Sequence, residues 1–199
     1  MAKEKYQLLL WEEYVSQAPF LEDKQRKEWM KLGEKILGGD VTFLYELYRE
    51  VQTQEDLHKA EIRTLLETMI GIFEEVLPLG SVVDLRKEYL KGTIPSEDVE
   101  RVRVVIVKRY VEESPEGFYY PYAGTIYPTG IPGTETLLLF TPAMIEQVVS
   151  RGYSDEQEEA YLYLMKREFF LERKLRSIGF GNKEEWEQYY RYRKGGQSA

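Results

Sequence analysis

Between Leu77 and Tyr153 the apolar residues fall in short runs, rich in Val, Ile, Leu and Tyr, kept apart by Gly, Pro and Ser-Pro punctuation. The runs are Ser81–Leu85, Val102–Val111, Phe118–Tyr127 and Thr136–Phe140, after which Thr141-Pro142 opens a helical turn over Ala143 to Gln147 and the chain extends through Val148-Val149 to Gly152-Tyr153. β-branched and aromatic side chains suit a pleated, half-buried surface and crowd the turns of a helix, so this spacing predicts antiparallel strands. Gly124, inside the third run, is placed for a bulge or a sharp bend. Four or five short, bent strands imply a small, strongly bent antiparallel sheet or barrel. The remainder reads as helix. The expected class is α+β, with a helical N-terminal region over residues 1–76, a β core over 77–153, and C-terminal helices and a tail over 154–199.

The helical readings rest on apolar spacing of three and four. Tyr6, Leu9, Leu10 and Tyr14 predict a short helix to about Val15, and Pro19 interrupts it. Trp29, Leu32 and Ile36 stripe a second helix over about Leu21 to Leu37, stopped by Gly38-Gly39. Asp40 caps a third helix, carrying Val41, Leu44, Tyr45, Tyr48 and Val51. Thr53 and Asp56 open a fourth, in which Ile62, Leu65, Met69, Ile72 and Val76 form one apolar seam that Leu77-Pro78 ends. Ser154-Asp155-Glu156-Gln157 reads as a capping box before a helix striped by Tyr161, Leu164, Leu171, Leu175 and Ile178. Asn182 caps a last one, with Trp186, Tyr189, Tyr190 and Tyr192.

Composition narrows the chemistry. The 199 residues include no cysteine, so disulfides, thiol catalysis and cysteine metal sites are excluded, and the single histidine, His58, argues against a multi-histidine metal centre or a Ser-His-Asp triad. His58 extends the fourth helix's seam and reads as a boundary residue. A formal charge of -8 repels a phosphate backbone, so no nucleic acid partner is expected. No secretory h-region and no apolar stretch long enough to span a membrane occurs, and the expected location is the cytoplasm. No phosphate loop, nucleophile elbow or His-Glu-x-x-His is present. Adjacent acids such as Glu12-Glu13, Glu74-Glu75, Glu112-Glu113 and Glu158-Glu159 point apart on a helix or strand and do not make a carboxylate dyad. No catalytic, cofactor-binding or metal-binding residue is assigned.

Sixteen tyrosines and three tryptophans suit both core packing and partner surfaces. Two features are candidates for binding a protein. One is the cluster Tyr119, Tyr120, Tyr122 and Tyr127, in which strand alternation puts Tyr120 and Tyr122 on one face and Tyr119 on the other. Helices covering both faces would make it core; an uncovered face would make it an aromatic platform. The other is the seam through Ile62, Leu65, Met69 and Ile72, which fits an internal helix, a partner, or a second copy in a homodimer.

Three motifs carry a resemblance. Leu77-Pro78-x-Gly80-Ser81-Val82-Val83 opens the β stretch, Tyr120-x-Tyr122-Ala123-Gly124-x-x-Tyr127-Pro128 lies in its middle, and Phe140, Ile145, Val148, Gly152 and Tyr153 lead into Asp155-Glu156. In order and spacing they resemble the domain of unknown function 4176 family of Gram-positive bacteria, encoded beside type VII secretion loci, over about Glu75 to Leu164. The insertion Glu88 to Glu100 is longer than typical members carry. The resemblance implies a non-enzymatic accessory protein. Some members resemble the EsaE/EssE kind of chaperone, which binds a secreted toxin and delivers it to the membrane machinery, with the secretion ATPase as a further contact. It implies no catalytic residue, and it implies architectural roles for the matched glycines and Pro128. An immunity protein that neutralises a toxin domain is the alternative, and an acidic chain would suit a basic nuclease target.

Overall fold

The structure is a computed structural model and describes residues 2–37, 41–52, 57–86, 101–112, 117–130 and 137–181. The Gly38-Gly39 stop, the Asp40 cap, the Thr53 and Asp56 helix start, most of the Arg86–Arg101 insertion and the helix expected from Asn182 lie outside these residues. The class is α+β. The chain divides into two compact units, Met1–Glu75 with Asp155–Arg176, and Val76–Ser154 with Ser177 onward.

The helical unit holds α1 (Ala2–Gln17), α2 (Asp23–Ile36), α3 (Thr42–Gln52), α4 (Leu57–Phe73) and α5 (Glu156–Lys166). Its centre is Trp11, fully buried, whose indole N–H donates to the Trp29 carbonyl at 2.9 Å. Glu67 is buried on α4 and is satisfied by the Tyr48 hydroxyl at 2.6 Å and a two-point ion pair with Arg176.

Two expected helices end early. α4 stops at Phe73, so Val76 leaves the seam and packs on the apolar cluster of the sheet. Pro78 already disfavours helical backbone at Leu77, and donors from other helices take up the freed carbonyls. Gln7 bonds the Ile72 and Phe73 carbonyls, and Lys166 bonds those of Ile72 and Glu74. α5 stops at Lys166 and widens into a π-helical turn over Arg167–Glu172. Phe169, Phe170 and Leu171 are all buried, and three consecutive inward residues exceed what one face of an α-helix can supply. The stripe expected from Tyr161 and Leu164 is instead exposed. The α5 cap is Asp155, whose carboxylate accepts from the Glu158 N–H at 2.9 Å, rather than Ser154.

The second unit is an open antiparallel sheet of β1 (Val82–Leu85), β2 (Val102–Glu112), β3 (Phe118–Ile126), β4 (Leu138–Phe140) and β5 (Ile145–Ser150), in the order β4-β3-β2-β1-β5, with the two-residue β6 (Arg176–Ser177) paired to β3. A four-residue helix, α6 (Ile178–Gly181), follows β6. Of the two architectures left open by the spacing, a sheet is formed and a barrel is not. One face carries a cluster of Leu77, Val83, Leu85, Val102, Val104, Ile106, Tyr122 and Phe140. The helical turn expected over Ala143 to Gln147 is instead a 3-10 turn at Pro142–Met144, and Ile145 to Gln147 belong to β5, paired with β1.

The irregularity expected at Gly124 falls on its partner strand. Ile106 pairs with Gly124 and Lys108 with Ala123, so Val107 is the extra residue. Gly124 is needed for another reason. A Cβ there would overlap a Val104 methyl and sit 2.6 Å from the Val105 carbonyl oxygen. Gly80, at φ 78, turns the chain into β1 in a conformation that glycine adopts without penalty.

Candidate partner-binding surface

Among the described residues, the β5 side of the sheet carries exposed apolar side chains. β5 pairs with β1 along one side and, among the described residues, with no strand along the other. Residues 146–150 are all exposed, Val148 and Val149 among them. Two consecutive exposed valines would be unusual in a regular strand, whose side chains alternate. The register explains them. Val83 pairs with Val148 and Val82 with Ser150, so Val149 is bulged out, and Glu146 is bulged likewise between the partners of Asp84 and Leu85.

The strand's end is held close. The Gly152 N–H donates to the Ser81 hydroxyl at 2.9 Å, and the Gly152 backbone lies directly against that of Leu79. Leu79 is 47% exposed and Tyr153, the next residue after Gly152, is 81% exposed. Leu79 and Tyr153 therefore lie near one another where β5 ends, and Val148 and Val149 stand on the strand leading to that corner. An exposed edge with apolar side chains is a template for strand addition or partner contact.

The sheet face opposite the apolar cluster carries a polar row. Asp84 lies between Val83 and Leu85, so strand alternation turns it away from the cluster. Its side chain is fully buried, and it is the register partner of both Arg103 on β2 and Gln147 on β5. Arg103 donates to Oδ1 from Nε at 2.8 Å and to Oδ2 from Nη2 at 3.1 Å, Gln147 donates to Oδ2 at 2.6 Å, and the Arg101 guanidinium lies 3.9 Å away. The Arg103 hydrogen bonds hold the Asp84 carboxyl below the usual carboxylate range against the opposing effect of burial, and Gln147 adds to this. Tyr127 continues the row, its N–H donating to the Arg103 carbonyl at 2.9 Å.

The expected site residues are scattered rather than gathered. Tyr122 is buried in the cluster, with its ring 5.5 Å from that of Phe140 and its hydroxyl accepting from the Leu77 N–H at 3.0 Å. Tyr119 is buried with its ring 5.5 Å from that of Tyr110. Tyr120 is half-buried and Tyr127 is 54% exposed. On α4, Leu65, Met69 and Ile72 are fully buried within the helical unit and Ile62 is half-buried. Of the eight, Tyr127 is the one with most of its surface open. Asp84, Arg103 and Gln147 carried no sequence signal beyond a lone acid inside a strand-like run. Tyr153 and Val148 stand in the third motif, but nothing local marks them as exposed.

A second candidate is Lys166. It is buried, and its ammonium bonds two backbone carbonyls at the end of α4. Burial pushes its pKa down to about 7, with Glu74 opposing the shift and Lys3 adding to it. Lowered lysines often mark catalytic sites, but carbonyl partners make this one a helix cap. The unfolded chain keeps its proton up to about pH 10.5 and the folded chain loses it near 7, so burial destabilises the fold fully below pH 7 and progressively less up to 10.5. Lys166→Met removes that dependence. The stability difference between Lys166→Met and wild type should therefore move in favour of wild type by on the order of 4 kcal/mol from pH 7 to pH 10. Urea titrations of both chains across that range read it directly, and a constant difference would refute the shift.

Among the described residues no group of three or more His, Cys, Asp or Glu side chains could hold a metal ion, and no helix is long and apolar enough to cross a membrane. Residues 76–161 match the model of a family described as a domain of unknown function (DUF4176). No curated protein and no solved structure matches the chain. The matched segment contains β1 to β5, the Asp84 row and the exposed corner, and it stops inside α5.

Proposed function

We propose that this chain is a non-enzymatic, cytoplasmic accessory protein of bacterial type VII secretion, a chaperone or targeting factor that holds a secreted toxin substrate at the β5 edge of its sheet. The observation that carries the reading is that edge: residues 146–150 exposed, Val148 and Val149 among them, leading to the corner where Leu79 and Tyr153 lie. Apolar and aromatic side chains around an open strand suit a protein partner better than a small molecule or a nucleic acid. The pathway comes from the resemblance of the three motifs to proteins encoded beside type VII loci, and the matched segment contains the whole edge. The secretion ATPase is a natural second contact for a factor that delivers cargo.

The test is co-purification with the toxin encoded beside it, divided into its N-terminal helical domain and its C-terminal toxic domain. Retention of the helical domain, insensitive to salt, is the expected result. Val148→Lys with Val149→Lys should weaken it at least about tenfold, the loss typical of a central apolar contact. The chain's charge of -8 favours one other reading, immunity, which would appear as salt-sensitive retention of the toxic domain alone. Retention of neither domain would overturn both.

A further inference from the structure

We infer that the buried Asp84 side chain is a register pin that fixes edge strand β5 in the alignment in which Val148 and Val149 are both exposed. β5 needs such a device. Its residues 146–150 are exposed, two bulges interrupt its ladder with β1, and of its side chains only Ile145 packs on the apolar cluster. Hydrophobic patterning therefore does little to specify its register, and weakly specified strands slip.

Asp84 supplies what the pattern lacks. Its carboxylate faces its register partners on both neighbouring strands, Arg103 on one side and Gln147 on the other. Arg103 anchors the carboxylate through two hydrogen bonds, and Oδ2 is left to accept from Gln147 at 2.6 Å. The alternatives one residue away are both poor. Sliding β5 one way brings Glu146 against a buried carboxylate, and sliding it the other brings Val148, which has no donor to offer. The pair of bulges, at Val149 and at Glu146, brackets Gln147, so the aligned position is also the point from which both irregularities are measured. The inference concerns the strand whatever binds it, and it stands or falls separately from the secretion reading.

The test uses the full chain and two substitutions at Gln147, an exposed residue whose replacement leaves the core intact. Gln147→Leu removes the hydrogen bond to an ionised group. Exchange of the β5 amides bonded to β1 should then rise about tenfold to a hundredfold. The cross-strand NMR contacts of Val82 with Ser150 and Val83 with Val148 should vanish or move by one residue. The β2–β3 contacts of Val104 with Ile126 and Val105 with Thr125 should persist. Gln147→Glu gives the pH readout. Its side chain can donate to Asp84 only as the neutral acid, so β5 protection relative to wild type should be lost at pH 7 and return as the pH falls through the glutamate range. The charged and titratable groups of the row are Asp84, Arg101, Arg103 and Tyr127, and the Arg103 hydrogen bonds hold the Asp84 carboxyl below the usual carboxylate range. Unchanged exchange and contacts in Gln147→Leu, equal loss of the β2–β3 contacts, or a pH-independent Gln147→Glu would each overturn the pin.

Discussion

Gly152→Ala should lower the thermal midpoint of the sheet unit by about 6–12 °C, a loss of roughly 3 kcal/mol in a chain of this length. The cause is a backbone-to-backbone approach. A Cβ at Gly152 would overlap the carbonyl oxygen of Leu79 and lie 2.9 Å from the Ser81 nitrogen. Neither is the movable end of a side chain, so relief requires the strand end to draw away from the entry to β1. That movement also breaks the Gly152 N–H bond to the Ser81 hydroxyl. Serine at 81 is itself fully buried, and its oxygen would be left without that donor. Differential scanning calorimetry of the two chains decides the point, with the units' transitions fitted separately if they do not coincide. A midpoint within about 2 °C of wild type would mean that the two backbones can separate at little cost. The expected loss also bears on the corner formed by Leu79 and Tyr153, whose placement depends on this contact.

Trp11→Ala should cost the helical unit about 3–5 kcal/mol. Trp11 is fully buried, and its ring centroid lies 5.8 Å from that of Tyr14 and 6.2 Å from those of Trp29 and Phe73. The ring occupies space that α2 leaves by carrying Gly33, where a Cβ would sit 2.7 Å from the indole nitrogen. Truncation to alanine opens a cavity lined by aromatic rings that cannot collapse without tilting α1 against α2. It also deprives the Trp29 carbonyl of its 2.9 Å donor. Far-UV circular dichroism in urea measures the loss without relying on the tryptophan signal being altered. A cost below about 1.5 kcal/mol would show that the rings close over the gap.

Much of the fold was legible in the sequence, because the signals that specify it are local. Val, Ile and Tyr runs between Gly and Pro located β1 to β4 to within a few residues, and alternation by three and four located α1 to α4, whereas the start of β5 and all of β6 lie in segments whose spacing reads as helical. The absence of cysteine excludes disulfides and thiol chemistry within these 199 residues on composition alone. Gly80, Gly124 and Gly152 stand at positions where the backbone requires glycine, and all three belong to the three motifs of the β stretch.

What only the tertiary structure decided concerns residues whose surroundings come from far along the chain. Tyr119, Tyr122 and Tyr127 look alike as a sequence, yet two are buried and one is exposed, because Tyr110, Phe140 and Leu77 reach the first two. The helix expected from Ser154 to Ile178 has continuous helical spacing, but three adjacent residues found room inside the helical unit and drew the backbone into a π turn. Asp84 is one acid among 35 Asp and Glu residues until strands 19 and 63 positions away bring Arg103 and Gln147 to it. Periodicity is written within a few residues and can be read there. Burial, register and the choice of which apolar side chains remain in water are set by pairings between distant segments, and those appear only once the chain has folded.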